Sequence, residues 1–296
     1  MKKGIWHAIG AYGLWGLLPV YWKFLQHVAA PQLLCHRIVW SFVSLLAVIL
    51  ITRKWYAFRL AMTSRKVLRA YTAAAVLISI NWFTYIWSVN AGFIVETSLG
   101  YFINPLLSVL LGVVFFREHL RPWQWASIAL AGAGVVYLTV AYGSLPWIAL
   151  VLASTFAVYG MVKKSAPLGS LYGLTLETGV LLVPAVFFLA YSDHAGHGAF
   201  LRAGLATDAL LLGAGVITAV PLLLFSSAAR RIPLSLVGIL QYIAPTLQLI
   251  LGVFLYREPF SAVQLVGFGM VWIALIIYGV EGLLVYRSQA FPVVSE

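Results

Sequence analysis

Long apolar runs separated by short polar joints dominate this chain. Ten of them lie near residues 4–23, 31–52, 70–90, 97–116, 123–141, 146–163, 171–191, 208–228, 234–256 and 261–283. Each is close to the roughly 20 residues a helix needs to cross the hydrocarbon layer. None alternates apolar and polar positions over about 10 residues, as a membrane-barrel strand would. The pattern therefore predicts an all-α polytopic membrane protein with ten transmembrane helices. The first run follows Lys2 and Lys3 and imitates a signal peptide. It is long for one, and nine more runs follow, so it reads as a retained first helix.

One segment is written twice. Residues 98–120 and 238–260 share Ile103/Ile243, Pro105/Pro245, Leu107/Leu247, Leu111/Leu251, Gly112/Gly252, Val113/Val253, Arg117/Arg257 and Glu118/Glu258, all at an offset of 140. The first and sixth runs match more weakly, Trp6, Ala8 and Lys23 against Trp147, Ala149 and Lys164. That offset divides ten spans into two halves of five, residues 1–142 and 143–296. Five is odd, so equivalent spans cross in opposite directions and the halves are inverted repeats, an arrangement typical of secondary transporters. Pro105 and Pro245 each remove a helix hydrogen bond and are read as paired hinges. The Arg-Glu pairs fall at helix ends near opposite faces and are read as end anchors rather than gates.

Composition fixes the solvent. The chain is 62% hydrophobic and 9% charged, against about 25% charged in soluble domains. A net charge of +11 could suggest nucleic acid, but its distribution points elsewhere. With the N-terminus inside, Lys23, Arg202 and Arg257 are outside and Arg37 lies within a span, leaving fifteen of the 19 lysines and arginines on cytoplasmic segments. That is the positive-inside bias, with both termini cytoplasmic. Cys35 is the one cysteine, so no intrachain disulfide forms, and it is read as a packed small residue. No HExxH, GxSxG or phosphate loop is present. Asp193, His194 and His197 share a loop, read as solvated rather than metal-binding. Neither enzyme chemistry nor a cofactor is expected.

The informative polar residues lie inside spans, where a charge costs about 2.5–3.5 kcal/mol and is functional by default. Arg37 and Glu177 each lie about two turns into their spans and are 140 residues apart. Two readings stand. They pair structurally across the axis, or they face a central cavity, with Arg37 holding a carboxylate and Glu177 an ammonium of a zwitterionic metabolite. His36, beside Arg37, is a candidate proton carrier. Asn81 and Tyr85 follow helical spacing, and Trp82 is a candidate wall. Tyr101, Asn104, Gln241 and Tyr242 precede the two prolines; Tyr12, Trp15 and Tyr159 complete the candidate substrate-binding set, since ligand sites combine aromatic walls with a few polar groups.

The segments HRIVWSF, NWFTYIWSVN, TSLGYFINPLLSVLLGVVFF, FAVYGMVKK and VPLLLFSSAARRIPLSLVGILQYIAPT resemble the RarD branch of the EamA transporters, within the drug/metabolite transporter superfamily. The resemblance covers nearly the whole chain. It implies ten helices as two inverted five-helix repeats in the bacterial inner membrane, a central cavity and alternating access. It also implies export or exchange of small metabolites, with amino acids exported by relatives. Many EamA members carry Gly-Glu where this chain has Arg117-Glu118 and Arg257-Glu258. The partners expected are a small-molecule substrate and the lipid bilayer, not nucleic acid; oligomeric state is open. A non-transporting receptor or membrane enzyme is the alternative, which an attached soluble domain would have favoured; the longest loops, about 15 residues, are too short for one.

Overall fold

A computed structural model describes residues 1–62, 64–91, 93–143, 145–257 and 261–290. All its regular elements among these residues are helical: α1 (Lys2–Lys23), α2 (Ala30–Ile51), α3 (Trp55–Met62), α4 (Arg65–Asn90), α5 (Ile94–Phe116), α6 (Pro122–Tyr142), α7 (Trp147–Ser165), α8 (Ser170–His194), α9 (Leu205–Ala229), α10 (Leu234–Gln241), α11 (Ile243–Ile250), a π-helical turn (Leu251–Leu255) and α12 (Ala262–Ala290). Among the described residues, nine segments are long and apolar enough to cross a membrane, counting α10, α11 and the π turn as one. Helix α1 has 22 residues, about 33 Å at 1.5 Å per residue. Its interleaved Gly, Trp, Tyr and His leave it less apolar, and it buries Ala8, Ala11 and Tyr12 in the bundle.

Local chemistry sets the ends. Pro122 opens α6 with its fixed φ, at a position whose N–H is unpaired anyway. Gly143 closes the same helix at φ +81°, a left-handed conformation that carries no Cβ penalty in glycine. Arg117 closes α5 at φ +52°, and Arg257 adopts φ +55° at the equivalent point of the second half. The duplicated Arg-Glu therefore begins with a left-handed turn in both halves. Glu258 lies outside the described residues.

The ten runs correspond to helices within a few residues, but two local features differ from expectation. Helix α3 was not anticipated, being too short to register as a span. It buries Phe58 against Ile49, Val67, Tyr71 and Leu176 while exposing Trp55, Tyr56 and Leu60, as an amphipathic helix lying along an interface does. The two prolines also behave unequally. Pro105 sits inside the continuous helix α5, whereas the ninth span breaks into α10 and α11 at Gln241–Tyr242. Pro245 lacks the N–H that would bond the Gln241 carbonyl four residues back. The break and the proline face α5 closely, since a Cβ on Gly238 would meet the Pro105 carbonyl oxygen at 2.7 Å.

Packing repeats with the sequence. Helix α5 packs on α7 as α10–α11 pack on α1; α4 packs on α7 as α9 packs on α1; α2 packs on α9 as α8 packs on α4. Helices α2 and α8, and α6 and α12, are equivalent under the offset and touch each other. Tyr242 donates to the Phe102 carbonyl at 3.1 Å, across 140 residues, so the pseudo-axis passes through that contact. Small residues permit the closeness: a Cβ on Gly215 of α9 would lie 2.3 Å from the Trp40 backbone of α2, and Ser41 donates to the Gly215 carbonyl at 2.9 Å.

Candidate substrate cavity

A cavity of about 190 Å³ opens between α1, α2, α4, α5, α7, α9 and the broken α10–α11 helix. Its deep end is buried, with Tyr12, Asn104 and Gln241 at 1%, 5% and 7% exposure. At its mouth Tyr85 and Tyr101 are 38% and 37% exposed, and their rings meet edge-on at 6.2 Å. Trp15, Trp22, Trp82 and Phe156 form the walls.

Arg37 reaches the cavity from α2. Its Nε donates to Thr218 Oγ1 of α9 at 3.0 Å. The Trp22 ring lies 4.9 Å and the Trp82 ring 5.1 Å from its guanidinium carbon. Cation–π contact of this kind holds a guanidinium without neutralising it. Asn81 is held by its amide, which donates to the Leu152 carbonyl at 2.8 Å and to Thr155 Oγ1 at 3.1 Å. The Gln248 amide donates to the Trp15 carbonyl at 3.2 Å and ties α11 to α1. Tyr12 Oη, Asn104 Oδ1 and Gln241 Oε1 have no hydrogen-bond partner among the described residues. Buried polar atoms are normally satisfied, so three orphans beside one cavity mark where a ligand or water completes the network.

Of the residues expected to bind substrate, Tyr12, Trp15, Arg37, Asn81, Trp82, Tyr85, Tyr101, Asn104 and Gln241 line this cavity, as does Pro245. Glu177, Tyr159 and Tyr242 do not. Glu177 neither pairs with Arg37 nor faces the cavity: it is 1% exposed, accepts from Lys163 Nζ at 2.6 Å and from Tyr159 Oη at 2.9 Å. Lys163, counted from the sequence among the cytoplasmic charges, is itself 1% exposed. Tyr242 is spent on the Phe102 carbonyl. His36 points to the other side of α2, 5.4 Å from the Phe200 ring, with Nδ1 unpartnered among the described residues. Asp193 pairs with Arg202 at 2.9 Å, both exposed.

The sequence reading missed Trp22, Thr218, Phe156 and Gln248. A signal existed for one: the match of Lys23 to Lys164 sets Trp22 opposite Lys163, so the partners of Arg37 and Glu177 occupy equivalent places.

Beyond the other end of α5, Glu118 ties that helix to α10 and α7. The duplicated glycine explains how: Gly112 has no Cβ, which would lie 2.6 Å from Glu118 Oε2, so the Glu118 carboxylate folds back over α5. There it accepts from the Leu234 N–H at 2.6 Å and the Ser235 N–H and hydroxyl at 2.8 and 2.7 Å, capping α10. Lys164 Nζ stands 3.4 Å away. Burial alone would push the Glu118 carboxyl up, but the donors from Ser235 and Leu234, with Lys164, outweigh it and hold it below the usual carboxylate range. A carboxyl whose pKa is depressed by folding stabilises above its unfolded value of about 4.3 and stops doing so as pH falls through the lowered value. Glu118→Ala is expected to cost about 1–2 kcal/mol, the worth of a lost cap and a helix-dipole partner. A lower midpoint of thermal unfolding checks it. Wild type should lose stability as pH falls through the lowered value, whereas Glu118→Gln should show little of that acid step.

Comparison with known proteins agrees with this architecture. The EamA-like transporter family matches residues 2–140 and 145–280. The Bacillus subtilis (strain 168) protein called "Uncharacterized transporter YojE" is 45% identical over 94% of this chain and 93% of its own. "Protein RarD" of Streptomyces exfoliatus is 41% identical over 97% of this chain and 91% of its own. A crystal structure of a protein 18% identical in sequence superposes with a TM-score of 0.67, covering 93% of this chain and 96% of the other, and shares the fold.

Proposed function

Because the chain belongs to the EamA-like transporter family, we propose that it is a secondary transporter carrying small metabolites, amino acids first among them, by export or exchange across the bacterial inner membrane. The observation that carries this reading is the cavity, lined by a guanidinium and by three residues with unsatisfied polar atoms, while Glu118 caps α10 beyond the other end of α5. A channel would need an opening at both ends. The positive-inside bias supports cytoplasmic termini, and the mouth, at the N-terminal end of α5, then faces outward. Transport follows by alternating access, with the halves 1–142 and 143–296 exchanging roles. Their inverted relation, a pseudo-two-fold rotation about an axis in the membrane plane, makes the inward-open state the outward-open one with the halves exchanged.

Pro245 and Pro105 are the proposed hinges, and the break at Gln241–Tyr242 favours the first. Pro245→Ala restores a missing N–H donor and stiffens the ninth span. It is expected to slow turnover several-fold with substrate affinity intact. Unchanged turnover would count against the hinge.

Counterflow in proteoliposomes tests the whole reading. Vesicles preloaded with neutral and aromatic amino acids should take up labelled tracer through the wild-type protein. No exchange with any amino acid would remove them as substrates while leaving other metabolites in question.

A further inference from the structure

We propose that the cavity selects an organic monoanion, a single carboxylate on a flat apolar body with a hydrogen-bond donor at its other end, in preference to a zwitterion. This rests on the transporter reading above; it keeps a small-metabolite carrier and puts organic monoanions ahead of the amino acids named there.

Charge carries the first step. Among the described side chains lining the cavity, Arg37 is the one that bears a charge. A cation within the membrane is costly unless paired, yet its neighbours here are a hydroxyl and two indoles. Tyr85 and Tyr101 line the same cavity but offer neutral hydroxyls. The missing component is an anion. With Nε committed to Thr218 and the guanidinium carbon 4.9 and 5.1 Å from the Trp22 and Trp82 ring centroids, the two Nη groups have no hydrogen-bond partner among the described residues. That edge is the fork that grips a carboxylate through two parallel bonds.

The second step excludes an ammonium clamp. A zwitterion held at both charges needs a carboxylate in the cavity. Glu177 was the candidate, and it is sealed in its own pair with Lys163 at 2.6 Å. A substrate ammonium would leave water and meet only neutral oxygens. The same argument disfavours a dianion such as a phosphate monoester, whose second charge finds no cation.

The third step reads the deep end. Asn104 Oδ1 and Gln241 Oε1 are unpartnered amide oxygens, and Tyr12 Oη is an unpartnered hydroxyl. They call for a neutral donor, an amide N–H or a hydroxyl. Between these and Arg37 run aromatic walls, Trp15 and Phe156 meeting at 5.8 Å, which suit a flat apolar body.

A matched series with one body and four charge states tests this: N-acetyl-L-phenylalanine (anion, amide donor), L-phenylalanine (zwitterion), L-phenylalanine amide (cation) and N-acetyl-L-phenylalanine amide (neutral). Binding to the purified full chain in nanodiscs is read from tryptophan fluorescence excited at a wavelength where none of the four absorbs. The anion should bind at least about tenfold more tightly than the other three, and Arg37→Gln should reduce it to the level of the neutral amide. Equal or tighter binding of the zwitterion, or an anion preference that survives in folded Arg37→Gln, overturns the proposal; so does binding by none of the four. The charge series on wild type stands alone if the variant fails to fold. Counterflow of labelled N-acetyl-L-phenylalanine separates the two readings. Arg37-dependent binding without exchange would sink transport and keep the selectivity. Exchange that favours phenylalanine would do the reverse.

Discussion

Arg37→Ala should abolish transport and leave a folded, monodisperse protein. The two effects have different causes. Among the described residues, the guanidinium makes one side-chain hydrogen bond, to Thr218 at 3.0 Å, and lies over two indoles. Removing it forfeits those contacts but also removes a charge from the membrane, a relief of several kcal/mol on mild scales. The terms oppose each other, so the unfolding midpoint should barely move. For an anionic group in the cavity nothing opposes the loss. Truncating one partner of a buried charge pair costs about 2–5 kcal/mol, so affinity should fall at least about 30-fold. Arg37→Lys is the informative companion. It keeps the charge but loses the planar fork and the stacking, and should recover only part of the activity. A folded Arg37→Ala protein that exchanges substrate at the wild-type rate would eliminate the cavity as the site.

Much of this was legible in the sequence because membrane helices obey few rules. Run length located ten helices, and the repeated IxPxLxxxLGVxxxRE segment exposed the inverted halves. What the sequence could not supply was depth. Arg37 and Glu177 occupy equivalent positions, which invited a pair across the axis. Inversion forbids it. Each lies seven residues from the start of its helix, α2 at Ala30 and α8 at Ser170, about 10 Å in at 1.5 Å per residue. The two helices start at opposite faces of a hydrocarbon layer about 30 Å thick. On the order of 10 Å of depth therefore separates them, and Glu177 pairs with Lys163 of its own half while Arg37 bonds Thr218 of the other. Pro105 and Pro245 teach the same lesson at smaller scale. Identical letters gave a continuous helix in one half and a break in the other, because the packing around each, not the missing N–H alone, decides whether the helix bends.

The largest loss of stability is expected from Glu177→Ala. Lys163 and Glu177 are each 1% exposed, and Tyr159 Oη completes the carboxylate at 2.9 Å. The alanine variant leaves an ammonium buried beside Tyr71 and Tyr159, whose rings lie 5.5 and 5.6 Å from Nζ. These contacts soften the cost without neutralising the charge. Breaking a buried pair by removing one member costs about 3–5 kcal/mol, comparable to the whole margin of many domains. Glu177→Ala should therefore express poorly or unfold far below wild type in detergent. The complementary experiment isolates the cause. Lys163→Met with Glu177→Leu removes both charges and keeps the volume, and such replacements are often neutral or stabilising. The double variant should regain most of the lost stability, which an orphaned charge explains and a lost packing contact does not. If the double variant is as unstable as Glu177→Ala, the loss lies in the shape of the α7–α8 contact rather than its electrostatics. The same comparison explains why the halves differ although their positions correspond. The second half closes its charge on Lys163, while Arg37 lies against Thr218 and two indoles, where the proposed anion would complete it. Among the described residues one duplicated frame thus yields a structural pair at Glu177 and, at the equivalent position, the cation proposed to recognise cargo.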